Sequence, residues 1–464
     1  MAESPTAALA GFASRLTLDE VPPPVLRAVK RLLLDHLGCA AGGSRTPLAQ
    51  AAAGVAAADG GSAATVIGTH RRAAPGPAAF ANAMSANALD YDDTGATGHP
   101  GATVIPAALA LAEAEGRSGA DLLAAVVVGY EVGARILAGV QPSWERRVEV
   151  YGSGTVQTFG AVAAAARLLG LDAGATRCAF GLAGAFAPLP HEAKFGWDEE
   201  RLSWIKDNVA WPAEGAVRAA RLAARGFRAT GTILDGERGL WRMMGSDRCD
   251  AGRMVRGLGS DWEILGLSLK PYPCCRWLHS TLDATRELVS RHGLRPDAVR
   301  RVTVRSIEAF PLWFHGRRPA TMVDAEFSAP HAVAMVLLDR PRAGWWQAAN
   351  RTDPAVLDLM DRVALETDPA AQATWVTVRH SARIPATVAI ETPGGTVEQA
   401  RRHARGGADE PLADAEVEQK FRELAEPVVG ATAAARIEEY VDKLEALDAV
   451  APLTAALVPD GGEP

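Results

Sequence analysis

The sequence Leu122-Leu-Ala-Ala-Val-Val-Val-Gly-Tyr130 is the longest apolar stretch of the chain, and the predicted fold class follows from it and its neighbours. It is bounded by Asp121 and Glu131 and is too short to span a bilayer. Comparable apolar runs at helical spacing cover residues 104–115, 122–140, 156–169, 178–186 and 215–225. Many are rich in Ala and Gly, which permits close contact between helices buried on several sides. We therefore predict a mainly α protein with a large all-α domain over residues 1–266.

The N-terminal part of this domain has a helix start and a helix stop. Leu26, Val29, Leu33 and Leu37 recur at helical spacing behind the prolines at 22–24. The two glycines at 42–43 are typical of a helix end. A long helix is predicted between these signals.

The pattern changes after residue 266. Alternating apolar and polar residues indicate half-buried strands at 301–307, 375–379 and 387–390, and the last turns through 393–395 into another strand at 396–397. Helical patterns at 279–292 and 329–338 lie among them. We predict a smaller α+β domain, a lid, over residues 267–405. It is inserted into the all-α domain, which residues 406–458 complete with a helical stretch at 413–447.

Composition narrows the possible partners and compartment. The chain has 464 residues, 48% of them hydrophobic, and a net charge of −7, which favours neither nucleic acid nor a membrane surface as partner. The start Met1-Ala-Glu-Ser-Pro5 lacks the basic and apolar regions of a secretion signal. The five cysteines are odd in number and suggest no disulfide framework, and the adjacent Cys274 and Cys275 lack the spacing of a zinc or redox site. We expect a cytoplasmic protein.

A polar segment, residues 87–101, interrupts the apolar helices. Its sequence is Asn-Ala-Leu-Asp-Tyr-Asp-Asp-Thr-Gly-Ala-Thr-Gly-His-Pro-Gly. Acid–base groups held in a loop between rigid helices are what a catalytic site needs, and Asp90, Thr94 and His99 are the candidates. Alternatively, these polar residues have only a structural role, as helix caps and as a turn between the helices. Asp92, Asp93 and His99 as metal ligands form another alternative, although their spacing matches no established ligand pattern.

A second segment, residues 268–283, is rich in proline and cations. Arg276 and His279 lie three residues apart, on one face of a helix that opens near Arg276. With Lys270 they can form a cationic clamp for carboxylates, and Tyr272 lies between two prolines beside them. Two alternatives are a crossover between domains with surface cations, and a Cys275 nucleophile with His279 as its base.

Lysine is rare in this chain, which draws attention to a third segment. Only six of the 48 basic residues are lysines. Lys206 lies between Trp204 and Trp211, where an amine can be partly desolvated or paired with Asp207. The sequence favours a functional role for Lys206 and Lys270. It favours no special role for the lysines on charged helical stretches, Lys30, Lys420 and Lys443.

Together the segments resemble the MmgE/PrpD family, which includes 2-methylcitrate dehydratase, cis-aconitate decarboxylase and iminodisuccinate epimerase. The matching motifs are LDYDDT…HPG at 89–101, AAAARLLGLD at 163–172, WIK at 204–206, GTILDGERGLW at 231–241, KPYPCCRWLHSTLDA at 270–284, AEFSAPHAVA at 325–334 and EQKFRELA at 418–425. The resemblance implies a large helical domain with an inserted smaller lid, a homodimer, an active site between the domains, and no required cofactor.

The resemblance also carries over individual residues. The active-site positions of the family fall on Asp90, Thr94, His99, Lys206 and Lys270. A second histidine of the family is replaced by Gly154, and a tyrosine by His331, which is a candidate proton donor.

These residues predict a metal-independent lyase or isomerase acting on a small di- or tricarboxylate. The reaction removes a proton α to a carboxylate, as in 2-methylcitrate dehydratase, while a lysine stabilises the developing charge. The predicted catalytic residues are Asp90, His99, Lys206 and His331, and the predicted substrate-binding residues are Thr94, Lys270, Tyr272, Arg276 and His279. No metal or cofactor is expected. The alternatives are an epimerase or decarboxylase of the same family and a non-catalytic carboxylate-binding homodimer.

Overall fold

The computed structural model describes residues 4–96, 98–150, 152–190, 202–205 and 207–460. Helices account for 59% of it and strands for 7%, which confirms a mainly α protein. The buried apolar side chains form two clusters. The first combines residues 9–269, Met322 and Val323 with residues 412–457, and the second extends from Tyr272 to Ile390.

The helices of the first core follow one another along the chain. They are α1 (Pro5–Arg15), α2 (Pro23–Gly43), α3 (Pro47–Ala58), α4 (Pro75–Asn87), α5 (Pro100–Ala114), α6 (Gly119–Gly139), α7 (Trp144–Val150), α8 (Gly154–Leu168), α9 (Ala173–Phe186), α10 (Ala210–Ala224), α11 (Leu240–Met243) and α12 (Ala251–Val255). A two-stranded sheet, β1 (Ala64–Thr65) and β2 (Arg72–Ala73), joins α3 to α4. The predicted helix between the prolines at 22–24 and the glycines at 42–43 is confirmed as α2.

Close helix contacts explain the glycines of this core. A Cβ built on Gly160 of α8 would lie 2.5 Å from the carbonyl oxygen of Gly129 in α6, so these two backbones touch without side chains between them. Helix α6 is longer than the apolar stretch at its centre, and by length and composition alone it could cross a membrane. However, 78% of its most apolar window is buried inside the protein, as expected for a core helix.

The second core is built around a four-stranded sheet. Its elements are α13 (His279–His292), β3 (Arg301–Ser306), α14 (Ala309–Trp313), α15 (Met322–Glu326), α16 (Ala329–Leu337), α17 (Ala348–Arg351), α18 (Pro354–Asp361), β4 (Val363–Thr367), α19 (Pro369–Val378), β5 (Ala386–Thr392) and β6 (Gly395–Arg401). The strand order is β4-β3-β5-β6, with β3 parallel to β4 and the other neighbouring pairs antiparallel. The predicted strands at 301–307 and 387–390 and the turn into 396–397 are confirmed.

One predicted strand is wrong and another was missed. Residues 375–379 lie in α19 and its C-cap, because Asp368 caps the helix, Pro369 follows at its first position, and Trp375 is buried on one face. Strand β4 was not predicted, because only Val363 of this edge strand is fully buried and the alternation is weak. That the second core is a separate, inserted domain stays a prediction.

The C-terminal helices pack on the first core. They are α20 (Asp414–Val429), α21 (Ala431–Asp442) and α22 (Ala451–Ala456). Helix α20 packs on α2, where a Cβ on Gly38 would lie 3.0 Å from the Cα of Phe421.

Candidate active site

The two polar segments found in the sequence meet in the structure. Residues 88–99 connect α4 to α5, and Asp90 turns the chain with a left-handed φ of 46°. Thr94 then pairs with Ser268 as an isolated antiparallel bridge, with N–H to O distances of 2.9 and 2.8 Å. This bridge holds the loop against the residues that lead to Lys270.

His99 lies at the centre of three carboxylates. Its Nδ1 is 2.9 Å from Oδ2 of Asp92. Its Nε2 is 3.6 Å from Oδ1 of Asp90 and 3.6 Å from Oδ2 of Asp207. The imidazole is 7% exposed and precedes Pro100, the first residue of α5.

The carboxylates decide the charge of this imidazole. Burial opposes protonation, but the charges of Asp207 and Asp92 outweigh it and raise the pKa of His99. Burial would raise the pKa of Asp92, but the His99 charge and hydrogen bond outweigh it and lower that pKa. These carboxylates therefore favour the protonated ring, in which Nδ1 donates to Asp92 and the Nε2–H faces Asp90 and Asp207.

Lys270 supplies a second buried cation. Its ammonium lies 3.1 Å from Oδ1 of Asp90 and donates to the Asp90 carbonyl oxygen at 2.7 Å. Lys270 is fully buried and Asp90 is 1% exposed. Lys270 and a protonated His99 thus place two buried cations among the carboxylates of Asp90, Asp92 and Asp207.

Lys420, to which the sequence assigned no special role, is buried next to the site. It is 4% exposed and forms an ion pair with Asp35 of α2, with Nζ 2.6 Å from Oδ1. The same ammonium donates to the carbonyl oxygens of Tyr91 at 2.6 Å and Lys270 at 3.2 Å. Lys420 therefore ties both site segments to the C-terminal helix. It lies three residues after buried Val417, and this helical spacing was the signal that could have shown its burial.

Asp93 lies behind the site as a weak acid. Burial, reinforced by the charge of Asp92, raises its pKa to about 8. The Tyr130 hydroxyl donates to its Oδ2 at 3.2 Å.

Three predicted substrate-binding residues form a separate hydrogen-bonded group. The Tyr272 hydroxyl donates to Asp283 at 3.1 Å. Burial, and secondarily the charge of Arg276, lowers the pKa of His279 well below its usual value, so Nδ1 of this neutral ring accepts from Arg276 at 2.9 Å. Arg276 also donates to the Arg405 carbonyl oxygen at 2.7 Å. Arg276 and His279 thus bind each other and the backbone, and their binding of a substrate carboxylate together with Lys270 stays a prediction.

The contacts of His279 also bear on the alternative in which Cys275 is a nucleophile and His279 is its base. Its Nε2 donates to the carbonyl oxygen of Cys274 at 3.2 Å, and its Nδ1 is used by Arg276. Both ring nitrogens are therefore engaged, and burial raises the pKa of the Cys275 thiol. The dyad of Cys275 and His279 is not formed.

Of the remaining predicted residues, His331 forms no hydrogen bond or ion pair with His99 and Lys206 lies outside the described residues. His331 is in the first turn of α16, in the second core, where burial and then Arg351 lower its pKa to about 4. Among residues that the structure describes, no hydrogen bond or ion pair joins His331 to His99.

Thr94 and Lys206 complete the predicted set. The Thr94 hydroxyl is buried and has no hydrogen-bond partner among the described residues. Lys206 lies outside the described residues, whereas its neighbour Asp207 is the site residue that the sequence did not identify.

The metal-ligand alternative fits a different set of residues. Within the described ranges, the group with metal-ligand spacing is Asp90, His99 and Asp207, whose ligand atoms lie within 4.8 Å of one another. Asp92 and Asp93 are instead engaged by His99 and Tyr130. The Lys270 ammonium at Asp90 places a positive charge where a cation would bind and opposes it.

Comparison with known proteins places the chain in a family. The model of the MmgE/PrpD N-terminal domain matches residues 7–250, and that of the MmgE/PrpD C-terminal domain matches residues 272–446. The chain belongs to the MmgE/PrpD family. The resemblance inferred from its motifs is thereby confirmed.

Relatives of this MmgE/PrpD protein match over nearly its whole length. The cis-aconitate decarboxylase-like protein oryM of Aspergillus oryzae is 28% identical, with 97% of each chain covered. Cis-aconitate decarboxylase of Aspergillus terreus is 25% identical over 97% of this chain and 95% of its own. Human cis-aconitate decarboxylase is 26% identical over 98% of this chain and 95% of its own. The likeness supports a carboxylate-acting enzyme.

Proposed function

We propose that this MmgE/PrpD protein is a metal-independent lyase that transfers a proton at a carbon next to a carboxylate of a small di- or tricarboxylate. The observation that carries the proposal is the His99 imidazole, held between Asp92 and Asp207, with the Lys270–Asp90 pair beside it. A proton donor and a carboxylate-binding cation thus lie within one buried site.

The carboxylates around His99 favour reactions in which an acid delivers a proton. Because the neighbouring carboxylates raise its pKa, they favour the protonated ring, which suits His99 to donate a proton. Decarboxylation leaves an electron pair on carbon, and a proton must then be delivered to that carbon. Dehydration needs a base that takes the proton from the carbon next to the carboxylate and an acid that protonates the departing hydroxyl. Both use an imidazolium, whereas epimerisation starts with removal of a proton and needs the neutral ring.

Positive charge beside the substrate lowers the barrier to either reaction. When a carboxylate or proton leaves, negative charge spreads onto the remaining carboxylate. An ammonium in a water-poor site stabilises that charge far better than water does. We assign this role to Lys270 and to Lys206, and we assign positioning of the substrate to Thr94.

The relatives suggest the first substrate to test. These relatives are cis-aconitate decarboxylases or proteins like them, so decarboxylation of cis-aconitate is our leading reaction. Dehydration of 2-methylcitrate is the second, because it also uses an acid. The roles of Tyr272, Arg276, His279 and His331, together with a homodimeric state and a cytoplasmic location, stay as proposals.

A panel of substrates tests the proposal. Chelator-treated protein is incubated with cis-aconitate, citrate, 2-methylcitrate and iminodisuccinate, and each mixture is followed by NMR. We expect a new product from cis-aconitate or 2-methylcitrate without added metal. Product only after addition of a divalent metal would contradict the metal-independent reaction. If one of these carboxylates binds but none of them is converted, with or without added metal, the protein is instead a carboxylate-binding protein that has lost catalysis.

A further inference from the structure

Gly154, the first residue of α8, permits a close contact with the segment after Lys206. A Cβ built on Gly154 would lie 2.9 Å from the carbonyl oxygen of Asn208 and 3.3 Å from Cγ of Pro188. The first distance is shorter than Cβ atoms tolerate, and the opposing atom belongs to the backbone. Any side chain at this position would therefore push the turn at 207–208 away from α8.

This turn carries Asp207 to His99. Asn208 has a left-handed φ of 45°, and its N–H donates to the carbonyl oxygen of Ile205 at 3.0 Å. The Asp207 carboxylate then lies 3.6 Å from Nε2 of His99, on the side of the ring opposite Asp92. The small residue at 154 and the position of this carboxylate are thus linked through one backbone contact.

The three carboxylates around His99 differ in access to solvent. The side chains of Asp92 and Asp90 are 0% and 1% exposed, and they are engaged by His99 Nδ1 and by Lys270. The side chain of Asp207 is 11% exposed. Among the residues described around the ring, it is the carboxylate that faces both Nε2 and solvent.

We propose that Asp207 passes protons from solvent to Nε2 of His99, and that Gly154 is the residue that allows Asp207 to reach it. The inference rests on the proposed function. In decarboxylation, carbon dioxide departs, the carbon takes the proton of His99 Nε2, and the neutral ring regains a proton through the Asp207 carboxyl group. One solvent proton is consumed in each turnover, so charge and atoms balance.

The charged groups that face His99 fix the expected pH behaviour. From its own loop these are Asp90 and Asp92, from the 202–208 segment Asp207, and from the crossover Lys270. An opposite charge within about 4–6 Å raises the pKa of a histidine by about 1–3 units. Removal of the Asp207 charge should therefore lower the His99 pKa while Asp92 and Lys270 stay in place.

The first experiment compares variants of Asp207 in chelator-treated full-length protein. We expect Asp207→Asn to lower kcat at least tenfold with a small effect on KM, and Asp207→Glu to restore part of it. NMR titration of the ring, assigned by its absence from His99→Gln, should show a His99 pKa lowered by about one unit in Asp207→Asn. An unchanged kcat and an unchanged His99 pKa in Asp207→Asn would overturn the inference.

The second experiment changes the contact and leaves the acid in place. Gly154→Ala should reproduce both the lower kcat and the lower His99 pKa, because the displaced turn withdraws the carboxylate. Gly316→Ala is the matched control, since a Cβ there meets no atom within 4 Å, and it should behave as the wild type. Wild-type values in Gly154→Ala would contradict the role of Gly154. If the wild type turns over no substrate, the proposed function fails, and the titration still decides whether Asp207 is coupled to His99.

Discussion

Lys270 contacts Asp90 twice, through the side-chain oxygen at 3.1 Å and through the carbonyl oxygen at 2.7 Å. The left-handed φ of Asp90 turns its carbonyl and its carboxylate towards the same ammonium. A single lysine thereby fixes the turn and balances the charge next to His99.

Replacement of Lys270 by Met should reduce both stability and activity. The change leaves Asp90 buried without its cation, and breaking a buried pair costs about 3–5 kcal/mol. Lys270→Arg should also lose activity, because a planar guanidinium differs in size and geometry from an ammonium. Urea unfolding and kcat/KM measure the two effects. Lys443→Met is the control, since Lys443 is 64% exposed and its loss should change stability by less than about 0.5 kcal/mol. Full activity in Lys270→Met would contradict the role of this cation.

Replacement of His99 by Gln should remove turnover and keep the fold. Loss of a general acid typically lowers the rate by about 10²–10⁴-fold. The amide of Gln retains a donor for Asp92, so substrate binding measured by calorimetry should persist. Exposed His70 provides the control, and His70→Gln should have wild-type kcat. Turnover within a factor of about three of wild type in His99→Gln would show that another group transfers the proton.

The Lys420–Asp35 pair should act as a structural support of the site. Lys420→Met leaves Asp35 unpaired in the core and should cost about 3–5 kcal/mol in unfolding free energy. The double variant Lys420→Met/Asp35→Leu should be more stable than that single variant, because no charge is then left buried. It should still show reduced kcat, since the bonds to the carbonyls of Tyr91 and Lys270 are gone. Urea unfolding of the wild type, Lys420→Met, Asp35→Leu and the double variant measures the coupling free energy between the two side chains. Additive changes in the free energy of unfolding would show that the pair does not interact.

Asp93 should make stability depend on pH. Its pKa in the folded protein is raised to about 8, against an ordinary value of 3.8. Between these values the folded protein holds a proton that the unfolded chain has released, so Asp93 makes stability fall as pH rises, with the loss complete above about 8. Asp93→Asn removes this contribution. The difference between the Tm of Asp93→Asn and the Tm of the wild type should therefore increase from pH 5 to pH 9.

The exposed residue Asp448 provides a control for this titration. The Tm difference between Asp448→Asn and wild type should be constant across the same range. A constant difference for Asp93→Asn as well would mean that Asp93 titrates normally.

Local patterns predicted most of the fold. The prolines and glycines that bound α2, and the turn between β5 and β6, are signals carried by adjacent residues. The failures occur where burial depends on distant partners. Strand β4 is recognisable only beside β3, and residues 375–379 alternate like a strand although Asp368 and Pro369 start a helix.

The site was predictable to the extent that its residues belong to motifs. Asp90, His99 and Lys270 were found, and the structure brings them together. Asp207 was missed because its relation to His99 is a contact between distant parts of the chain that no local spacing encodes. Arg276 and His279 share a face, as predicted, but they bind each other and the protein backbone.

Turnover in heavy water is the most direct test of proton transfer from His99 to the substrate carbon. Chelator-treated wild type and His99→Gln are incubated with cis-aconitate in D₂O, and product is followed by proton and deuterium NMR. We expect one deuterium on the carbon that receives the proton in the wild type, and no product from His99→Gln. Deuterated product formed equally fast by both proteins would contradict it.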